Sequence, residues 1–304
     1  MPFVYNFPFF SIFVCMVSGI ITPLLKNGKS AYRVSLFASA AGLCLSAALL
    51  LRVAPAGESF SYMMGHFPAP WGNELSVGPL EALLATAVCF VMLMALLGGR
   101  KDLFEDVLPE KQKFLFIMMD LNLAALLALT YTNDIFTSYV FIEICTIAAC
   151  AVVMAKDTAA TLVATMRYLI MSLLGSGLVL IGIVLLYSIT GHLLFPNIQE
   201  RVVAIAASGE FAVPLTVVIG LIVLGLGIKS AMFPFHLWLP PAHGSATTAA
   251  SSVLSGLVVK GYIILMIRLF YKVFTVEVIR ENHITDVVFV FGLAGMIIGS
   301  VNAM

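Results

Sequence analysis

The sequence predicts an all-α fold: a polytopic transmembrane helix bundle of about nine spans with a discontinuous seventh helix. Three observations lead there. Hydrophobic residues make up 61% of the 304 and charged residues only 11%, where soluble domains carry roughly 25% charge; mean hydropathy is +1.07. The apolar residues are gathered into runs of about 20, the length that crosses a ~30 Å hydrocarbon core as a helix. One region, residues 220–269, breaks such a run at Pro234, Pro240 and Pro241 and then resumes it.

In chain order the predicted spans cover residues 3–25, 32–53, 78–98, 114–131, 135–155, 166–190, 213–235, 247–271 and 285–304. The first has no basic leader and no small-residue cleavage site, so it reads as a retained span. Residues 54–77, rich in Gly, Pro and aromatics, suit a compact hairpin-like loop with Tyr62 and Trp71 near the headgroups. Residues 197–208 (NIQERVVAIAAS) alternate polar and apolar positions at helical spacing, which predicts a short interfacial helix. Basic residues concentrate after spans one (Lys26, Lys29, Arg33), three (Arg100, Lys101, Lys111, Lys113) and five (Lys156). That bias places the N-terminus outside a prokaryotic inner membrane, although Lys272 and Arg280 run against it.

Sixteen basic residues balance sixteen acidic ones, so no net field exists to attract nucleic acid. The five cysteines lie in apolar runs without CxxC pairs or Cys/His clusters, as small residues packed between helices do. Neither a metal site nor a cofactor is expected in this chain.

Charges inside the spans are the informative residues. A Lys or Asp at mid-bilayer costs about 2.5–3.5 kcal/mol, against ~0.3–0.6 kcal/mol returned by one Leu or Ile. Such residues must face a bundle interior or a hydrated cavity. Glu81 and Arg268 lie near span ends, where snorkelling accounts for them; Asp120 is read either as near the interface or as a bundle contact through Asn122 and neighbouring helices. Glu143, Lys229 and Lys260 lie deep within their spans and read as functional. Gly225 and Gly227 precede Lys229 and Pro234 follows it, which predicts a helix break whose freed carbonyls need polar, hydrated surroundings. A discontinuous helix carrying a buried lysine is a recurring transporter device. Burial disfavours the ammonium and a nearby carboxylate favours it, so moving or neutralising Glu143 would switch Lys229 between holding and releasing a proton.

His236 and His243 (HLWLPPAH) match no zinc spacing and are read as cavity-lining or relay groups, since imidazole titrates near neutrality. In GSATTAASS, Ser245 or Thr247 is the expected N-cap of the eighth helix.

The stretch GIKSAMFPFHLWLPPAHGSATTAASSVLSGLVVKGYIILMIR resembles the signature K-x-x-x-x-P-x-H-x-W-L-P-x-A-H, followed by S-x-L-x-G-x-x-x-K. This is the signature of the antiporter-like membrane proteins found in respiratory complex I, in Mrp-type cation/proton antiporters (their D-type component) and in membrane-bound hydrogenases. TNDIFTSYVFIEICTIAACAVV is similar to the family's fifth helix. The likeness covers roughly residues 103–304 and is looser before that. It implies that Glu143 partners Lys229, that Lys260 passes protons onward, and that His236 and His243 are the family's histidines after the break and in the loop. Pro241 and Ala246 stand where the family usually has Asp and Pro, so the turn is expected to differ in shape.

The resemblance also implies organisation. Residues 1–113 form an N-terminal three-helix segment, and 114–271 one complete five-helix repeat of an inverted-repeat transporter fold. Residues 272–304 begin a second repeat that stops within its first helix. The expectation is therefore a partial product, or a chain whose second half-channel comes from another polypeptide.

The function expected is that of an antiporter-like subunit moving protons, with or without Na⁺ coupling, through a Glu/Lys relay. Cation counter-flow or a partner redox module (a hydrogenase or iron–sulfur module) would drive it, alongside further antiporter-like subunits. The chain would be a non-catalytic ion-translocating subunit, whether or not its complex is an oxidoreductase. The alternative is a membrane scaffold whose buried charges only hold helices in register.

Overall fold

The computed structural model describes residues 3–67 and 72–302; Trp71 lies outside them. Among the described residues nine helices are long and apolar enough to cross a membrane, and the protein is multi-pass. They are Phe3–Leu24, Gly28–Ala56, Pro79–Gly98, Pro109–Tyr131, Ile135–Met154, Ala159–Thr190, Ala212–Lys229, Thr248–Lys272 and Ile284–Val301.

The first span contains α1 (Phe7–Ile21) and the second is α2 (Gly28–Ala56). The hairpin expected after them is present, with β1 (Phe60–Met63) antiparallel to β2 (Glu74–Val77), Phe60 opposite Val77 and Met63 opposite Glu74. Then come α3 (Pro79–Gly98), the short α4 (Arg100–Glu105), α5 (Pro109–Tyr131), α6 (Ile135–Met154) and α7 (Ala159–Thr190). The predicted amphipathic segment is α8 (Phe195–Ser208), whose Phe195, Ile198, Val202 and Ile205 are buried on one face. The seventh span is α9 (Ala212–Lys229), followed by α10 (Leu239–Ser245). The eighth span joins α11 (Thr248–Val253) through one π-helical turn at Leu254–Val258 to α12 (Val259–Lys272). α13 (Val276–Glu281) leads to α14 (Ile284–Asn302).

Helix ends depart from the expected boundaries where polar residues cap them. Asn27 accepts from Ser30 N at 2.9 Å and starts α2 four residues early. Thr158 and Thr161 form a reciprocal cap that starts α7 seven residues early. Thr247, one of the two expected caps, accepts from Ala250 N at 3.2 Å; Ser245 instead donates to Pro241 O.

Two buried carboxyl groups, Asp120 and Glu81, help hold the N-terminal helices to the rest. Asp120 on α5 is 1% exposed, with Ser18 of α1 donating to Oδ2 at 2.5 Å and Ser35 of α2 donating to Oδ1 at 2.6 Å. It is thus a bundle contact with neighbouring helices, as the second reading has it, made through their serines and without Asn122. Glu81 and Arg268 do not snorkel: they are 2% exposed each. Glu81 caps α3 by accepting from Gly78 N at 2.9 Å. Its other oxygen lies 2.6 Å from Lys272 Nζ and 3.7 Å from Arg268 Nε. Arg268 also donates to the carbonyls of Leu129 and Thr132, both at 2.8 Å. Those carbonyls belong to the end of α5, where no further helical N–H is available. Pairing wins over snorkelling because one guanidinium serves a carboxylate and two orphan carbonyls at once.

The seventh span is shorter than expected. Helix α9 stays regular through Gly225 and Gly227, and the interruption begins at Ser230. The two glycines serve packing: a Cβ at Gly225 would lie 2.5 Å from Gly175 O of α7, and one at Gly227 2.7 Å from Met232 Cε. Ala231 takes the left-handed conformation at φ 56°, so that Ala231 N donates to Ile228 O at 3.2 Å and Met232 N to Gly227 O at 2.8 Å. This is the pair of bonds that closes a Schellman helix end. Trp238 Nε1 adds a bond to Ile228 O at 3.2 Å. The carbonyls of Gly227 and Ile228 at the helix end are therefore satisfied by protein groups.

Two stability predictions result. Arg268→Met, which leaves two buried carbonyls unpaired and Glu81 with Lys272 as its one cation, should destabilise the bundle by about 2–4 kcal/mol, read as earlier thermal onset of thiol labelling at buried Cys89 and Cys145. Ala231→Gly removes the steric cost of a left-handed alanine and should stabilise by about 1 kcal/mol in the same assay.

Candidate functional site

Asp134 caps α6 by accepting from Thr137 N at 2.6 Å, and the helix then carries Glu143 and Thr146 three residues apart, on one face. The Schellman end of α9 aims Lys229 at that face. Its side chain is 0% exposed, with Nζ 3.3 Å from Glu143 Oε1 and donating to Thr146 Oγ1 at 2.8 Å. The same ammonium lies 5.4 Å from the centre of the Tyr262 ring, on α12, a cation–π distance.

Thr146 links these groups. Its hydroxyl donates to Ile142 O at 2.9 Å, so the Tyr262 hydroxyl, 3.2 Å away, is the donor in their contact. On the other side, the Ser176 hydroxyl of α7 has two acceptors, Glu143 Oε1 and Ser172 O. The one proton is shared between them or directed at either. Four helices thus meet at one carboxylate and one ammonium. Lys229 is sealed, while the Glu143 side chain keeps 24% exposure, so only the carboxylate end of the pair is open.

The residues after the break are placed differently. Pro234 follows the helix end, in a cis bond to Phe233. His236 stacks on Phe233 with ring centres 5.7 Å apart and faces a cavity of about 420 Å³ between the break and α14. Its Nδ1 has no hydrogen-bond partner among the described residues. His243 on α10 shares a hydrogen bond of 2.9 Å with Ser251 Oγ. Burial, and then the positive charge of Lys260, hold the His243 ring below the usual imidazole range. Lys260 itself is exposed, on the face of α12 away from Tyr262. No hydrogen bond among the described residues joins Lys229 to Lys260.

Sequence reasoning singled out both members of the central pair but missed Thr146, Ser176 and Tyr262. Thr146 carried a signal, a hydroxyl one turn from Glu143 on the same face. Ser176 and Tyr262 carried none, since which face of α7 and α12 turns inward depends on packing. Among the described residues no cluster of three His, Cys, Asp or Glu side chains has metal-binding geometry.

The chain has relatives among known proteins. A family model described as NADH:quinone oxidoreductase/Mrp antiporter, TM, matches residues 132–304, which include Glu143, Lys229 and both histidines. The N-type subunit of the NADH-quinone oxidoreductase of Desulforudis audaxviator is 31% identical over 296 residues, 96% of this chain and 57% of that protein. The D-type subunit of the Na⁺/H⁺ antiporter of Bacillus subtilis is 27% identical, over 88% of this chain and 53% of its own length. The chain spans about half the length of the curated relatives it matches. In fold it is similar to a chain of the Mrp complex from Dietzia sp. (TM-score 0.78, 20% identity, 90% of this chain and 50% of that one). A chain of the archaeal membrane-bound sulfane sulfur reductase is also similar (TM-score 0.75, 23% identity, 89% and 53%). With more than half of its residues matched by that model, the chain belongs to the NADH:quinone oxidoreductase/Mrp antiporter family of transmembrane proteins.

Proposed function

We propose that the chain is an antiporter-like subunit carrying a proton half-channel, with Glu143, Lys229 and Lys260 as its proton-carrying groups. Residues 114–271 are read as one five-helix repeat of an inverted-repeat transporter fold and 272–304 as the start of the next. The subunit works in a hetero-oligomeric complex of a prokaryotic inner membrane, N-terminus outside. Cation counter-flow or a partner redox module supplies the drive, with Na⁺ as the candidate counter-ion.

The observation that carries the reading is the sealed ammonium of Lys229, held by one carboxylate and one hydroxyl. At ~4 Å and an effective dielectric near 20, a carboxylate stabilises an ammonium by about 4 kcal/mol, roughly a thousandfold in proton affinity. Glu143 is the open member of the pair, so its charge is the one that a neighbouring subunit or entering ion reaches. Neutralise it, and desolvation of the ammonium is no longer offset; the proton leaves. The Thr146 hydroxyl, which accepts from the ammonium, passes a proton on only by releasing its own, now directed at Ile142 O, to an entering acceptor. Lys260, near His243, is the next cation along the eighth span.

Assembled complex in proteoliposomes tests this. Lys229→Ala and Glu143→Gln should each cut proton movement at least tenfold with the subunit still assembled, and Thr146→Val should cause a smaller loss. Wild-type transport in both charge variants would end the relay reading. Loss of assembly in Lys229→Ala, with wild-type rates from whatever assembles, would favour the scaffold.

His243 supplies a pH test. Its lowered proton affinity means the folded chain binds fewer protons there than the unfolded chain, so this group's stabilising contribution is complete above its ordinary value of 6.5 and declines as pH falls through it. Hydrogen exchange at the imidazole carbon, followed by mass spectrometry, should give a midpoint below 6.5 for His243. In Lys260→Ala, with the like charge gone, the midpoint should rise.

A further inference from the structure

A concentration of positive charge lies well away from the relay, where the α1–α2 connection meets α4 and the start of α5. Lys29, Arg33 and Arg100 line one cavity of about 220 Å³, together with Tyr32 and Phe104. Lys26, Lys29 and Lys113 line a second, of about 660 Å³, to which Glu110 contributes the one carboxylate. Lys29 and Phe104 border both cavities, so the two are adjacent.

The charge here is unbalanced, unlike that of the neighbouring loops. Lys101 pairs with Glu105 at 4.0 Å, Lys111 with Asp157 at 2.6 Å and Lys156 with Asp106 at 2.9 Å. Among the described residues, none of Lys26, Lys29, Arg33, Arg100 and Lys113 has such an ion pair. Lys113 instead donates to Leu25 O at 3.2 Å, and the Arg100 guanidinium rests 5.7 Å from the centre of the Tyr32 ring. Lys113 is thereby held partly buried at its cavity, and Arg100, though exposed, lies against an aromatic face that lines the other.

Position identifies the ligand chemistry. The cations sit where α2 and α5 begin, at the ends of two membrane spans. Directly on the span side lie exposed apolar residues: Leu24 (83%), Phe37 (71%) and Phe114 (47%). Phe37 is one turn from Arg33 on the same face of α2. A cationic rim over an apolar collar fits an anionic phospholipid, phosphate against the rim and chains along the collar. Two adjacent cavities, each with cations of its own and one lysine between them, fit two phosphates. We propose that this face binds a phospholipid carrying two phosphates on one headgroup, a cardiolipin-type lipid.

Native mass spectrometry of the full chain in neutral detergent tests it, with cardiolipin, phosphatidylglycerol and inorganic phosphate as separate additions. Cardiolipin should be retained at least tenfold more tightly than phosphatidylglycerol, and inorganic phosphate should not displace it at millimolar concentration. Lys29→Gln combined with Arg33→Gln should weaken cardiolipin retention roughly thirtyfold, at about fivefold per cation near a lipid surface. Lys101→Gln, on the same loops but outside both cavities, should leave it unchanged. Equal retention of the two lipids by the wild-type chain would overturn the proposal without recourse to any variant. So would displacement by inorganic phosphate, or a double variant that folds and still retains cardiolipin.

Discussion

A charge inside an apolar bundle cannot be left alone, and this structure is organised by how it meets that constraint. Lys229 is sealed from solvent and depends on Glu143 and Thr146 of α6, which its side chain reaches from a helix packed on α7. The approach of α9 to α7 is made possible by Gly175 and Gly225, where no side chain intervenes. Asp120 takes the other solution, a carboxyl held by two serine hydroxyls from α1 and α2 with no cation among its hydrogen-bond partners. Glu81, Arg268 and Lys272 take a third, spreading charge over an ion-pair cluster that also finishes the end of α5.

These solutions differ in what they permit. In the Glu81 cluster the carboxylate is matched by two cations, and Arg268 is anchored further by backbone. Loss of one contact leaves others in place, which suits a rivet between α3 and the eighth span. The Lys229 site has a single carboxylate, itself partly open, and a serine whose proton has two acceptors. It holds charge with the minimum number of partners, so a change at one of them is felt by the whole site.

Much of this was legible in the sequence because membrane spans are written in composition. All nine appear as apolar runs, and the hairpin and the amphipathic helix α8 follow from turn residues and helical spacing. Glu143 and Lys229 stood out because a charge in such a run is rare. What could not be read was rotation: Ser176 and Tyr262 look like any Ser and Tyr until the packing of α7 and α12 turns them inward. Nor could the partners of Glu81 be read, since Arg268 and Lys272 lie on a helix far along the chain. The glycines before Lys229 were misjudged for a related reason. Composition reveals that a backbone is bare of side chains, but not whether it bends there or is approached by a neighbour.

The Schellman closure of α9 has a consequence for time. A helix end with its carbonyls satisfied by Ala231, Met232 and the Trp238 indole gives the backbone little reason to refold during each event. Motion at the site is then left to hydroxyl rotation and side-chain rotamers, which exchange in picoseconds to nanoseconds where they are unhindered, rather than to microsecond hinge movements. The local step would be fast and nearly silent in backbone structure. In the relay proposed above, the pace of the whole process would be set outside this pair, by whatever delivers and removes charge at Glu143.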